Sequence, residues 1–138
     1  MNKRISPKGV TVLLIGVLSC AGLHLLRLVY AIQNWQWLIK ILGWVVIYMA
    51  VSGLSFFFLD LVMMLLIVKR NKRTYFYLSG YILILLLAYW IDRLFLSIGE
   101  SFKNVPFVIG FQLLLIIIYL ILMKSRGMQT YFGDEHAH

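Results

Sequence analysis

The side chains of this chain that could do chemistry are a small set of ionisable and amide residues placed inside long apolar segments. They are His24, Arg27, Asp60, Asp92, Arg93 and Gln112. An ionisable group in such a segment is costly to bury unless it is paired or hydrated, so each is a candidate functional residue. The chemistry open to this set is ion pairing, binding of an anion by arginine, and proton transfer.

Five of these residues are predicted to form one polar cluster at a shared height in the membrane. At 1.5 Å per residue, Arg27 and Asp92 each lie ~26 Å along their apolar segment from its basic end. His24 and Gln112 reach a height of about 20 Å on the same scale. We therefore expect Arg27 to be the partner of Asp92, with Arg93 beside it.

This cluster is open to two interpretations. In the first, the Arg27–Asp92 pair fixes the register of two helices near the membrane interface, while Arg93 extends to water. In the second, Arg27 or Arg93 binds a lipid phosphate through paired guanidinium hydrogen bonds. His24, one helical turn before Arg27, is either a hydrogen-bonded packing residue or a group that handles protons.

Asp60 is the ionisable residue that this cluster leaves out. It lies ~12 Å from the basic end of its segment, and the sequence predicts no basic residue at that depth. Without a neighbouring cation, burial favours the neutral form of a carboxyl group. Because Gly53 and Ser52 share its helix face, Asp60 is either hydrogen-bonded within a close helix contact or a site for proton or cation coupling.

The sequence contains no pattern that is typical of a catalytic, cofactor or metal site. It has no nucleophile with a base, no glycine-rich phosphate loop and no zinc-protease spacing of histidines. One histidine in a span cannot supply two axial haem ligands, and Cys20 has no second cysteine for redox exchange. We therefore expect no enzymatic activity, cofactor or metal. Residues Gly16 to Cys20 also resemble a lipoprotein signal, but the apolar segment continues beyond them, which favours an intact first span.

The elements that position these residues follow from the composition. Hydrophobic residues make up 62% of the 138 residues and charged residues 13%, whereas soluble domains are about 25% charged. This excludes an ordinary soluble globular domain. Four apolar segments, residues 10–32, 41–68, 75–98 and 105–123, match the ~20 residues of a membrane-spanning helix. Their short connections predict one all-α domain, residues 1–138, that is an antiparallel up-down bundle of four transmembrane helices with a short tail at 124–138.

The basic residues predict how this bundle is oriented. Nine of the 13 lysine and arginine residues lie at the two chain ends and in the loop at 69–74. The remaining four, Arg27, Lys40, Arg93 and Lys103, fall on the other side. The positive-inside rule therefore places both termini in the cytoplasm and makes the chain a multi-pass protein of the cell membrane. The same cations attract anionic lipids, and no basic surface remains for nucleic acid.

Four short strings stand out together along the sequence. They are Pro7-Lys8-Gly9-Val10-Thr11, Ala21-Gly22-Leu23-His24-Leu25-Leu26-Arg27-Leu28, Tyr89-Trp90-Ile91-Asp92-Arg93-Leu94 and Tyr131-Phe132-Gly133. Together they resemble a group of small bacterial integral membrane proteins that have four spans and no assigned activity. The resemblance implies the four-span plan over nearly the whole chain and makes Arg27, Asp92 and Arg93 a shared signature. It implies no reaction, ligand or cofactor.

The first function that fits this sequence is association with another membrane protein or with a second copy of the chain. Small residues at Gly16, Cys20 and Gly53 allow another helix to approach closely. The chain would then be a non-enzymatic accessory or scaffold subunit, or a self-associating bundle, with a second copy or another membrane protein as its partner.

The second function is a small transporter or channel in which Asp60, or the Arg27–Asp92 pair, meets a proton or cation. The chain is similar in size and span number to small four-span drug exporters. Those carry an acidic residue in the first span, where this chain has His24 and Arg27 instead. The third function is binding of anionic lipids by Arg27 and Arg93.

Overall fold

The computed structural model describes residues 8–70, 73–96 and 104–133. The described residues form six α-helices and no strand. They are α1 (Lys8–Gln33), α2 (Trp35–Leu42), α3 (Val45–Val68), α4 (Thr74–Leu96), α5 (Val105–Lys124) and α6 (Arg126–Gly133). The basic residues Lys3, Arg4, Lys72 and Lys103, the predicted span end at 97–98 and the tail residues 134–138 lie outside the described residues.

Four of the helices, α1, α3, α4 and α5, are long and apolar enough to cross a membrane. They contain between 20 and 26 residues each. A helix satisfies its backbone hydrogen bonds internally, so it can expose large apolar side chains to lipid at little cost. Most of their leucine, isoleucine and phenylalanine side chains are exposed in the chain. The prediction of an all-α chain with four helices of membrane-spanning length is confirmed for the described residues.

Two boundaries differ from those that the apolar segments predict. The segment at 41–68 is interrupted at Gly43, whose φ of 57° lies in the left-handed region that glycine adopts without strain. Gly43 donates its N–H to the carbonyl of Ile39 and ends α2, so α3 begins at Val45. At the other end of the chain, extended backbone at Ser125 ends α5. The first part of the predicted tail then forms the separate helix α6.

Contacts divide the chain into two units, and residues 10–69 form the first, here called the N-terminal unit. In it, α1 packs against α3, with Val17, Ala21, Val46 and Met63 among the buried apolar residues. The two backbones are closest at Gly53. A Cβ atom there would lie 3.1 Å from the carbonyl oxygen of His24 and 3.2 Å from the amide nitrogen of Leu28. The missing side chain is therefore what permits the close approach.

The C-terminal unit comprises Arg70–His138 together with Met1–Gly9. The Ser79 and Tyr119 hydroxyls lie 2.8 Å apart and join α4 to α5, and Trp90 Nε1 donates to Gln112 Oε1 at 3.1 Å. Met128 and Phe132 of α6 are buried within this unit. That all four long helices form one domain and one antiparallel bundle stays a prediction.

Candidate functional site

The described residues bring one acid and one base together inside the long helices. His24 Nδ1 on α1 lies 2.7 Å from Asp60 Oδ2 on α3. The Asp60 side chain is fully buried, and the His24 side chain is 19% exposed. The separation is that of a short, charge-assisted hydrogen bond. Either the imidazole donates to the carboxylate, or the carboxylic acid donates to the imidazole, and both arrangements hold one shared proton.

The surrounding α-helical geometry orients the two groups. Phe56 precedes Asp60 by one helical turn, and its ring stacks on the His24 ring with 5.2 Å between centroids and 28° between planes. The imidazole therefore lies flat against Phe56 with Nδ1 directed at the carboxyl group. Gly53, two turns before Asp60, lets α1 come close enough for the imidazole to reach it. We call His24, Asp60, Phe56 and Gly53 the dyad site.

The expectation that Asp60 has no basic residue at its depth is wrong. Counted from the ends of the apolar segments, His24 and Asp60 would differ in depth by about 9 Å. That count assumes that the two segments end flush at the membrane surface. It also leaves out the reach of the side chains, and the contact between His24 and Asp60 shows that the two side chains bridge this separation.

Arg27 has an aromatic neighbour within the N-terminal unit. Its guanidinium carbon lies 5.6 Å from the centre of the Tyr48 ring on α3, a cation–π distance. Asp92 belongs to the C-terminal unit. The pairing of Arg27 with Asp92, and with it the five-residue polar cluster, stays a prediction.

The polar residues of α4 and α5 have hydrogen-bond partners that were not predicted from the sequence. Arg93 Nη1 donates to the Tyr89 hydroxyl at 2.8 Å, one helical turn earlier, and Gln112 accepts from Trp90. The spacing of four residues between Tyr89 and Arg93 is a signal that could have identified the first contact. No comparable spacing rule links residues on different helices. Trp90 as the donor to Gln112 could not be found in that way.

The chemistry available to the dyad site is proton exchange. His24 and Asp60 supply two ligand atoms, whereas structural zinc takes four. Among the described residues, no three or more histidine, cysteine or acidic side chains come together as a metal site would require. A buried carboxyl group in hydrogen-bond contact with an imidazole can exchange a proton with it along that bond.

Comparison with known proteins identified no relative of this chain. No protein-family model, curated protein or solved structure matches the chain. The resemblance to small bacterial four-span membrane proteins stays a prediction. The chemical role of the chain is therefore inferred from its own residues.

Proposed function

We propose that this chain is a small, non-enzymatic, multi-pass membrane protein that couples proton movement to transport, with the His24–Asp60 pair as its proton-binding site. The observation that supports the proposal is a fully buried carboxyl group 2.7 Å from an imidazole, between two helices of membrane-spanning length. The sequence of side-chain contacts supports an antiparallel arrangement of α1 and α3. As residue numbers rise along α1 from His24 to Arg27, those of their partners on α3 fall from Asp60 to Tyr48.

Charge balance explains why a proton matters at this site. The neutral pair carries two N–H or O–H protons, either as imidazolium and carboxylate or as imidazole and carboxylic acid. With one of them removed, an imidazole donates from Nδ1 to a carboxylate and the site holds one buried negative charge. Burial of that charge is unfavourable, so the deprotonated pair is stabilised by further polar contacts, water or a cation. Loss and gain of the proton therefore favour two different surroundings for α1 and α3, which is the requirement for coupling.

A purely structural role explains the residue types less well. Two transmembrane helices can be linked by neutral side chains such as serine or asparagine, without ionisable groups. A buried ion pair is weak evidence for added stability, because apolar residues of similar volume often serve as well. Ionisable residues inside a span are therefore candidates for function first.

The contact between the two side chains favours one order of proton transfer. Asp60 is fully buried and its carboxyl group contacts His24, so in this proposal a proton reaches Asp60 through the imidazole. A proton binds at Nε2, and the proton on Nδ1 passes to Asp60 Oδ2, which leaves a neutral imidazole and a carboxylic acid. The reverse transfer releases it.

Infrared difference spectroscopy of the full chain in lipid bilayers tests proton binding directly. On a change from alkaline to acidic buffer we expect a carboxylic acid C=O band to grow in the wild type. The band is lost in Asp60→Asn, which keeps the size and hydrogen bonding of the side chain but cannot bind the proton. Asp92→Asn, the same change at another acid, is the matched control and keeps the band. Identical spectra for the wild type and Asp60→Asn would contradict the proposal.

Vesicles that enclose a pH-sensitive dye test transport separately. Under an imposed membrane potential, vesicles containing the wild type should change internal pH faster than empty vesicles, and Asp60→Asn should return the rate to that of empty vesicles. A wild-type rate equal to that of empty vesicles would contradict proton transport, whereas the infrared band would still report proton binding.

A second candidate function is association through α1, supported by an observation at Gly16. No heavy atom of a described residue lies within 4 Å of the position that a Cβ atom would take there, in contrast to the tight contact at Gly53. The α1 surface at Gly16 can thus receive a second copy or a partner subunit. Cross-linking of a Gly16→Cys variant in a Cys20→Ser background should give a dimer in bilayers, and a product that stays monomeric would contradict self-association.

A further inference from the structure

From a groove at one end of the C-terminal unit we infer a binding site for a single anionic phospholipid, formed by α6, the end of α5 and the start of α4. The inference does not depend on the proton site, because every residue that it uses belongs to the other unit. The groove has a volume of about 400 Å³, within the range of small-molecule sites. This volume suits a headgroup and the first part of an acyl chain.

Helix α6 provides one wall of the groove through its amphipathic pattern. Met128 and Phe132, four residues apart, are buried, while Gln129 and Thr130 are exposed. A short amphipathic helix of this kind lies in the plane of a membrane interface with its apolar side inward. The start of α1 supports the wall from behind, since a Cβ atom at Gly9 would lie 3.0 Å from Met128 Sδ.

The floor and rim of the groove differ in polarity. Met123, Met128 and Phe132 form an apolar floor, and methionine side chains adapt readily to an irregular apolar ligand. Tyr75, Lys124 and Gln129 line the groove with hydrogen-bond donors. An apolar floor beneath a basic, donor-rich rim matches the junction of an acyl chain with a phosphate group. Free phosphate would gain nothing from the floor.

Charge at this end of the unit favours an anionic occupant. Lys124 lines the groove and its side chain is exposed. Arg70 is held against α6, with its guanidinium carbon 4.5 Å from the centre of the Tyr131 ring. The described residues of this unit contain one acidic residue, Asp92, which lies near the other end of α4. No described carboxylate competes for the rim.

Native mass spectrometry of the full chain, released from micelles that contain equal amounts of phosphatidylglycerol and phosphatidylcholine with matched acyl chains, tests the site. We expect preferential retention of one phosphatidylglycerol. Lys124→Gln should lower the ratio of retained phosphatidylglycerol to phosphatidylcholine about fivefold, which corresponds to the ~1 kcal/mol of a basic residue near an anionic surface. Arg126→Gln, a neighbouring basic residue outside the groove, is the matched control and should change the ratio less than about twofold.

Filling the groove separates binding inside it from attraction to a basic surface. Gln129 is exposed, so Gln129→Trp should fold normally while its indole fills the groove from the rim, and retention of both lipids should fall. Equal retention of the two lipids by the wild type would overturn the inference. So would equal effects of Lys124→Gln and Arg126→Gln, or unchanged retention in Gln129→Trp.

Discussion

Substitution of Gly53 by alanine should weaken the packing of α1 on α3, although it removes no contact. The added Cβ atom would lie 3.1 Å from the backbone oxygen of His24 and 3.2 Å from the backbone nitrogen of Leu28. The van der Waals separation of non-bonded heavy atoms is optimal from about 3.5 Å upward, so α1 must move by about 0.3 to 0.4 Å. Because both neighbours are backbone atoms, no side-chain rotation can relieve the contact.

The size of the effect follows from two opposing contributions. Overpacking of this kind costs about 1–3 kcal/mol, while replacement of a helical glycine by alanine gains up to about 1 kcal/mol. Gly22→Ala on α1 isolates the second contribution, because no heavy atom of the described part of the chain lies within 4 Å of its Cβ position. The free energy of unfolding of Gly53→Ala should therefore be about 1–3 kcal/mol lower than that of Gly22→Ala, a roughly 5- to 150-fold difference in the unfolding equilibrium.

Equilibrium unfolding in mixed micelles measures this difference. The mole fraction of a denaturing detergent is raised, and helix content and tryptophan fluorescence are followed for the wild type and both variants. Equal unfolding free energies for Gly53→Ala and Gly22→Ala would show that α1 and α3 are not in backbone contact at Gly53, and would refute the geometry on which the dyad site depends.

Two further predictions use the same unfolding measurement. Trp90→Phe removes the indole donor that lies 3.1 Å from Gln112 Oε1 and should lower the unfolding free energy by about 1 kcal/mol. The exposed Trp44 provides the control, and a change above ~0.5 kcal/mol in Trp44→Phe would contradict that assignment. Gly43→Ala places a Cβ atom on a residue with φ of 57° and ψ of −129°, a conformation that favours glycine, and should cost about 1–3 kcal/mol. Gly22→Ala, inside α1, carries no such cost, and equal unfolding free energies for the two variants would argue against the positive φ at Gly43.

The lengths and apolar character of the helices could be predicted from the sequence, because a helix in lipid needs little more than a long run of apolar residues. The positions of the breaks were harder to predict. Gly43 lies inside a continuous apolar run, and several glycines in this chain are accommodated within helices, so the residue type alone does not mark the end of α2. Its left-handed backbone is set by the turn that joins α2 to α3.

The pairing in the dyad site could not be predicted by counting residues along each helix. His24 and Asp60 were each identified as candidates from residue type, since ionisable side chains are rare in a span. Their pairing depends on how α1 packs against α3 and on how far each side chain reaches, and no rule of spacing within one helix contains either. Gly53 is the residue that could have indicated it. A small residue two turns from a buried acid is a favourable point for another helix to approach.

Gly53 also ties the packing of α1 to the chemistry of the proton. The close backbone approach at Gly53 and the 2.7 Å hydrogen bond at Asp60 lie two helical turns apart on α3 and both involve His24. A shift of α1 by a few tenths of an ångström therefore lengthens the hydrogen bond as well as relieving the overlap. If the pair shares a proton across this bond, Gly53→Ala should alter the infrared band of Asp60 while it leaves every polar atom in place. Asp60→Asn should do the opposite, abolishing the band with little loss of packing. A Gly53→Ala variant with weakened packing and an unchanged Asp60 band would show that proton binding and the contact between α1 and α3 are independent.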